Sequence, residues 1–158
     1  MPNEGLPAER SLVDRRSVVC AAVEVVLLGD ASRFDRLFTE DVRFRSPHVV
    51  AESLADVHRA VGAPEDALSG ARIKMLGLVD VEDRVVAEWR LDALFTGPVL
   101  FDDRLLIEPT GDQVHLDGVS VAEFRGARIS AFRHYFDDSE LLAGVPGAIG
   151  HLRWTTER

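Results

Sequence analysis

"VAEFRGARISAFRHYFDDSELL" (residues 121–142) holds two apolar-rich runs on either side of a tight turn, followed by an acidic pair that opens a helix-like segment. From Phe132 onward the second run alternates. Phe132, His134 and Phe136 fall on one side and Arg133, Tyr135 and Asp137 on the other, the period of a strand with one buried face. A connection as short as "FRGAR" permits only antiparallel neighbours, because a parallel crossover needs a dozen residues or more. The stretch predicts a hairpin that carries an imidazole between two phenyl rings. Asp137 and Asp138 are placed to cap a helix beginning near Ser139, since an acidic side chain there meets free amide groups.

Upstream, the runs near 71–81, 84–96, 99–109 and 112–124 are rich in β-branched and aromatic residues and are joined by "VEDR", "TGP" and "PTGD". They predict an antiparallel meander that ends in the run 127–137. Before residue 62 the period changes to that of helices. Ser11 with Asp14 resembles a capping box ahead of Leu12, Val19, Ala22, Val23, Val26 and Leu27, and Gly29 closes that helix. Asp30 is a cap for a short second helix with Phe34, Leu37 and Phe38 on one face, and Leu54, Val57, His58 and Val61 line a third. "EDVRFRSP" is a brief strand ended by Pro47. Helices first and strands afterwards predict an α+β domain, with the helices over one face of a curved sheet.

The free face of the run 84–96 is then expected to show Val85, Ala87, Trp89 and Leu91, which is too apolar for water. A homodimer through that face is the expectation, with cover by a loop or the C-terminal tail of the same chain as the competing one.

With 158 residues and 46% hydrophobic content the chain is about one domain long. It divides into a loose arm over 1–10, a folded domain over 11–143 and a tail over 144–158. The net charge is −9 and the basic residues are scattered, which argues against nucleic acid and anionic membranes as partners. A single cysteine, Cys20, suits a reducing cytoplasmic setting, and its apolar helical run is broken by Glu24, so a membrane span is not expected. The histidines show no metal-ligand spacing, no serine lies in a GxSxG elbow, and no phosphate or dinucleotide fingerprint occurs. Neither a metal nor another cofactor is expected.

"RFDRLFTEDVRFRSP", "DRVVAEWRLDALFTGP" and the stretch 121–142 together resemble the nuclear transport factor 2-like superfamily, in particular its branch of SnoaL-like polyketide cyclases and limonene-epoxide hydrolases. The resemblance covers residues 11–143. It implies a cone-shaped α+β barrel, three N-terminal helices packed on a curved and mostly antiparallel sheet, with a deep apolar pocket and a dimeric assembly. The hydrolases' Arg-x-Asp pair corresponds to Arg84 and Val86, their last-strand Asp to His134, their Tyr to Phe44 and their Asn to about Ser46, so epoxide hydrolysis by that route is not expected. The ketosteroid isomerases' base and helix tyrosine correspond to Ser46 and Ala22, which removes that mechanism too.

If Phe132, His134 and Phe136 face the pocket, the same register is expected to bring in Arg84, Val86, Glu88 and Arg90, with Leu116, Gly118, Ser120, Ala122 and Phe124 on the neighbouring strand. Phe44, Val86, Ser120, Ala122, Phe132 and Phe136 are the expected ligand contacts, and the small Gly118, Ser120 and Ala122 are expected to leave volume. A mostly apolar wall with few polar groups suits a small hydrophobic molecule. His134 is the candidate general acid/base, with Glu88 to orient it and Arg84 to polarise a carbonyl. The reaction expected is a cofactor-independent isomerisation, cyclisation or dehydration. A non-catalytic dimeric binding protein is the alternative, and an interaction module with a self-filled pocket a third. Each residue also has a plainer reading, His134 as a satisfied core residue and Arg84 as a salt-bridge partner of Glu88 or Asp83.

Overall fold

The structure, a computed structural model, describes residues 14–61, 67–101 and 105–137. Helix α1 (Arg15–Leu28) starts at Asp14, whose carboxylate accepts from the Arg16 amide, and ends at Gly29, which takes up the left-handed conformation at φ 66° and donates to the Val25 carbonyl. Asp14 is thus the N-cap, the role expected of Ser11, which lies outside the described residues. Asp30 caps a 3-10 turn over Ala31–Arg33 that runs into α2 (Phe34–Leu37). Phe34, Leu37 and Phe38 are all buried as expected, although Phe38 already opens strand β1 (Phe38–Arg45). After the short β2 (Val50–Ala51), α3 (Leu54–Val61) buries Leu54 and Val57.

The long strands are β3 (Leu68–Val81), β4 (Arg84–Phe95), β7 (Gln113–Arg125) and β8 (Arg128–Phe136). The run 99–109 is not one strand. It forms β5 (Val99–Phe101) and β6 (Leu105–Ile107), which pair only with each other. The six-stranded sheet has the order β2-β1-β8-β7-β4-β3, so β4 lies beside β7 and not beside its successor in the chain. One pairing, β1 with β8, is parallel. The sheet is therefore mixed and open, with β2 and β3 at its edges. Three helices packed on this sheet make the cone-shaped α+β fold expected.

One face of the sheet and the helices enclose the core, which includes Val19, Val23, Phe34, Phe38, Phe44, Val57, Val85, Ala87, Trp89, Leu91, Ala122 and Phe132. Val85, Ala87, Trp89 and Leu91 thus point into the domain, at most 2% exposed, and not onto a free face. The direct cause is register: Ala87 lies opposite Ser120, and Ser120 opposite His134, so all three share a face. An interface built from those four residues is excluded because α1 and the rest of the core already cover them.

Candidate functional site

Three neighbouring strands supply the site. Trp89 of β4, Ser120 of β7 and His134 of β8 meet inside the domain, where the Trp89 Nε1–H donates to Ser120 Oγ at 3.0 Å and Ser120 Oγ lies 2.7 Å from His134 Nδ1. The imidazole lies nearly parallel to the Trp89 indole, at 4.9 Å and 12°, and to the Phe132 ring, at 5.7 Å and 20°. Phe136 meets it edge-on at 5.5 Å. Phe44 in turn stacks on Phe132.

The box is buried and almost entirely aromatic. His134 is 1% exposed, and its Nε2 is buried without a hydrogen-bond partner among the described residues. Such an orphan is unusual in a native core and calls for an unseen partner, a water or a ligand. Removing an imidazole from water disfavours its charged form, and burial alone pushes His134 down from 6.5 to about 4. The ring is neutral at pH 7. Among the described residues, Thr39, Ser120 and His134 are the buried polar side chains, so His134 is the single buried titratable group of the site.

Ser120, Ala122, Phe132, His134 and Phe136 line this face as expected, together with Phe44. Arg84, Val86, Glu88 and Arg90 do not. Val86 lies opposite Val79 and Val121 on the outer face, Glu88 opposite Gly77 and Val119, and Arg84 forms a two-bond pair with Asp83 at 2.7 and 2.8 Å. Adjacent residues of a strand point to opposite sides of the sheet, so the backbone layer separates Arg84 and Glu88 from His134. The residue missing from the sequence reading is Trp89, which takes the room left by Gly118. A Cβ on Gly118 would stand 2.6 Å from Trp89 Cη2 and from the Tyr135 carbonyl oxygen. The signal for Trp89 was present in β4 itself, where Val85, Ala87, Trp89 and Leu91 form the apolar half of an alternating strand.

Depressions open to solvent lie elsewhere on the described surface. A groove of about 640 Å³ runs between α1 and β3 past Cys20, Glu24, Ile73 and Met75, and one of about 380 Å³ lies at Glu88, Asp117, Val119 and Tyr135. Neither is lined by His134. Cys20 is half-buried, and burial pushes its thiol above the ordinary range, which makes it a poor nucleophile. Among the described residues no three His, Cys, Asp or Glu side chains converge as a metal site would need.

Residues 19–132 match the SnoaL-like domain. The chain belongs to the SnoaL-like family. Solved structures share this fold at low identity. A SnoaL-like protein from Jannaschia sp. CCS1, named for its likeness to polyketide cyclases, superposes with a TM-score of 0.63 at 16% identity over 92% of this chain and 99% of its own. TsrD from Streptomyces laurentii gives 0.62 at 17% identity, over 81% and 94% of the two chains. An LEH-like epoxide hydrolase from M. tuberculosis gives 0.58 at 14% identity, over 85% and 91%. No curated protein matches the chain. In this SnoaL-like chain the fold supplies the buried sheet face, and the aromatic box around His134 is built from its own residues.

Proposed function

We propose that this SnoaL-like protein is a cofactor-independent enzyme of the isomerase, cyclase or dehydratase kind, acting on an apolar metabolite through His134 as its general acid/base. The observation that carries this reading is the buried, unpartnered Nε2 of His134 amid Trp89, Phe132 and Phe136. A packed structural histidine ordinarily uses both ring nitrogens, whereas one left open in a buried aromatic box suits a flat ligand with a single polar atom. Phe44, Ser120, Ala122, Phe132 and Phe136 are the contacts assigned to that ligand.

The test is proton exchange. Purified protein is incubated in deuterated buffer with a panel of flat ketones, and loss of the protons next to the carbonyl is followed by NMR. Enolising chemistry predicts exchange by the wild type and none above background by His134→Gln. Binding without exchange for every compound retained defeats the catalytic reading and leaves the alternative, a non-catalytic binding protein. That second reading is favoured by one observation, the placement of Arg84 and Glu88 on the far side of the sheet, where neither helps His134.

A homodimer belongs to the proposal, but through the outer sheet face. Val79, Val119 and Tyr135 are 58%, 38% and 48% exposed there. A cytoplasmic setting also belongs to it. Among the described residues no helix is long and apolar enough to cross a membrane.

A further inference from the structure

We propose that Ser120, its oxygen turned to the Trp89 indole N–H, holds His134 in the tautomer that carries its hydrogen on Nε2, so that the site presents a hydrogen-bond donor and selects a ligand with an uncharged acceptor oxygen. The ligand half of this statement rests on the proposed function above. The tautomer half stands on geometry alone.

An indole N–H can only donate, so at 3.0 Å Ser120 Oγ must accept from Trp89. The hydroxyl has one hydrogen of its own. Its available acceptor among the described residues is His134 Nδ1 at 2.7 Å, so the chain of donors runs from Trp89 to Ser120 to His134. A neutral imidazole that accepts at Nδ1 carries its hydrogen on Nε2. The opposite arrangement, with Nδ1–H donating to Ser120, strands the buried hydroxyl hydrogen and leaves the Nε2 lone pair unmet. It has two orphans where the first has one. One extra buried orphan shifts the balance roughly ten-fold or more towards the Nε2–H form. Burial keeps the ring neutral, so the doubly protonated form does not compete near pH 7.

The consequence for recognition is a choice of ligand. A ketone or ester oxygen accepts from Nε2–H and ends the donor chain, so in the proposed reaction His134 acts on the carbonyl from the acid side and the proton next to that carbonyl passes to a buffer base. A carboxylate would enter the same aromatic box with no cation among the described residues to meet it, because Arg84 is held by Asp83 on the other side of the sheet, and it would lose its hydration uncompensated. Trp89 and Ser120 are positioning residues in this scheme.

The test uses the full chain labelled with nitrogen-15 in histidine. Long-range proton–nitrogen correlation at neutral pH is expected to show His134 Nε2 protonated and Nδ1 bare, and the reverse pattern overturns the proposal. In Ser120→Ala no hydroxyl donates to Nδ1 and the two tautomers are expected to mix. An unchanged pattern in a folded Ser120→Ala variant removes the hydroxyl from the scheme. Neutral α-tetralone is then compared with naphthoate, with at least ten-fold tighter binding of the ketone expected and the Nε2–H resonance moved by it. Equal binding of the two overturns the selectivity. If neither probe reaches His134 while the wild-type tautomer is as stated, the donor chain stands and the ligand site at His134 is rejected.

Discussion

Gly118 and Trp89 occupy one place between them: the indole of Trp89 lies where any side chain at position 118 would have to go, and the Tyr135 carbonyl closes the other side. Gly118→Ala is therefore expected to destabilise the fold by about 1–3 kcal/mol, the usual cost of forcing extra volume into a packed core. Urea denaturation measures it, and the emission of Trp89 reports the displacement. An unaltered midpoint and spectrum would mean that the indole lies elsewhere.

Ser120→Ala removes the middle of the donor chain and leaves two buried groups, Trp89 Nε1–H and His134 Nδ1, without partners. A loss of about 2 kcal/mol or more is expected, since each stranded group costs on the order of 1–3 kcal/mol. In a double-mutant cycle with His134→Phe, the combined loss is expected to be smaller than the sum of the two single losses, because the second change removes one of the stranded groups. Simple additivity in denaturation experiments contradicts the bond between Ser120 and His134.

Acid is expected to weaken the fold through His134. Between pH 6.5 and about 4 the unfolded chain takes up a proton at this ring and the folded chain does not, so stability is complete above 6.5 and falls as the pH drops towards 4. A gap of that size corresponds to about 3 kcal/mol. Denaturation midpoints measured across this range are expected to fall more gently in His134→Gln, and parallel curves for the two proteins would place the imidazole in contact with water.

Arg84→Gln and Glu88→Gln are expected to leave the nitrogen signals of His134 unchanged. Both side chains sit across the backbone of the sheet from the ring. A change in the His134 tautomer or in its titration in either variant would place these residues within its reach.

Val119→Arg puts a charge at the centre of the outer sheet face beside Tyr135, its register partner on β8. Sedimentation is expected to show a dimer for the wild type and a monomer for the variant, with the aromatic box unaffected. A wild type that sediments as a monomer at every concentration removes the dimer from the proposal.

Much of the architecture is written in local patterns. Asp30 and Gly29 mark turns by their own chemistry, and the hairpins β3–β4 and β7–β8 follow from their short connections. His134 faces inward, as its alternation with Arg133 and Tyr135 indicates. What could not be read locally is the relation between β4 and β7, because β5 and β6 intervene and no tight turn sets the register between them. Reading Val85, Ala87, Trp89 and Leu91 as a free face, and Arg84, Val86, Glu88 and Arg90 as the inner one, placed β4 the wrong way round, although the fully apolar half of a strand is the half a core buries. A one-residue change of parity moves every side chain to the other face, and with it went both the expected helpers of His134 and the expected interface. Trp89 was hidden by the same step.

The parallel pairing of β1 with β8 ties residues 38–45 to residues 129–133. During synthesis β1 emerges early and waits for its neighbour until nearly all of the described chain has left the ribosome. The order of assembly follows from this: helices and the β3–β4 hairpin can form while the chain grows, whereas closing the sheet must await its last strand. Because that strand carries His134, the donor chain is complete only when the sheet is, and a nascent chain stalled before it holds Trp89 and Ser120 with nothing to aim.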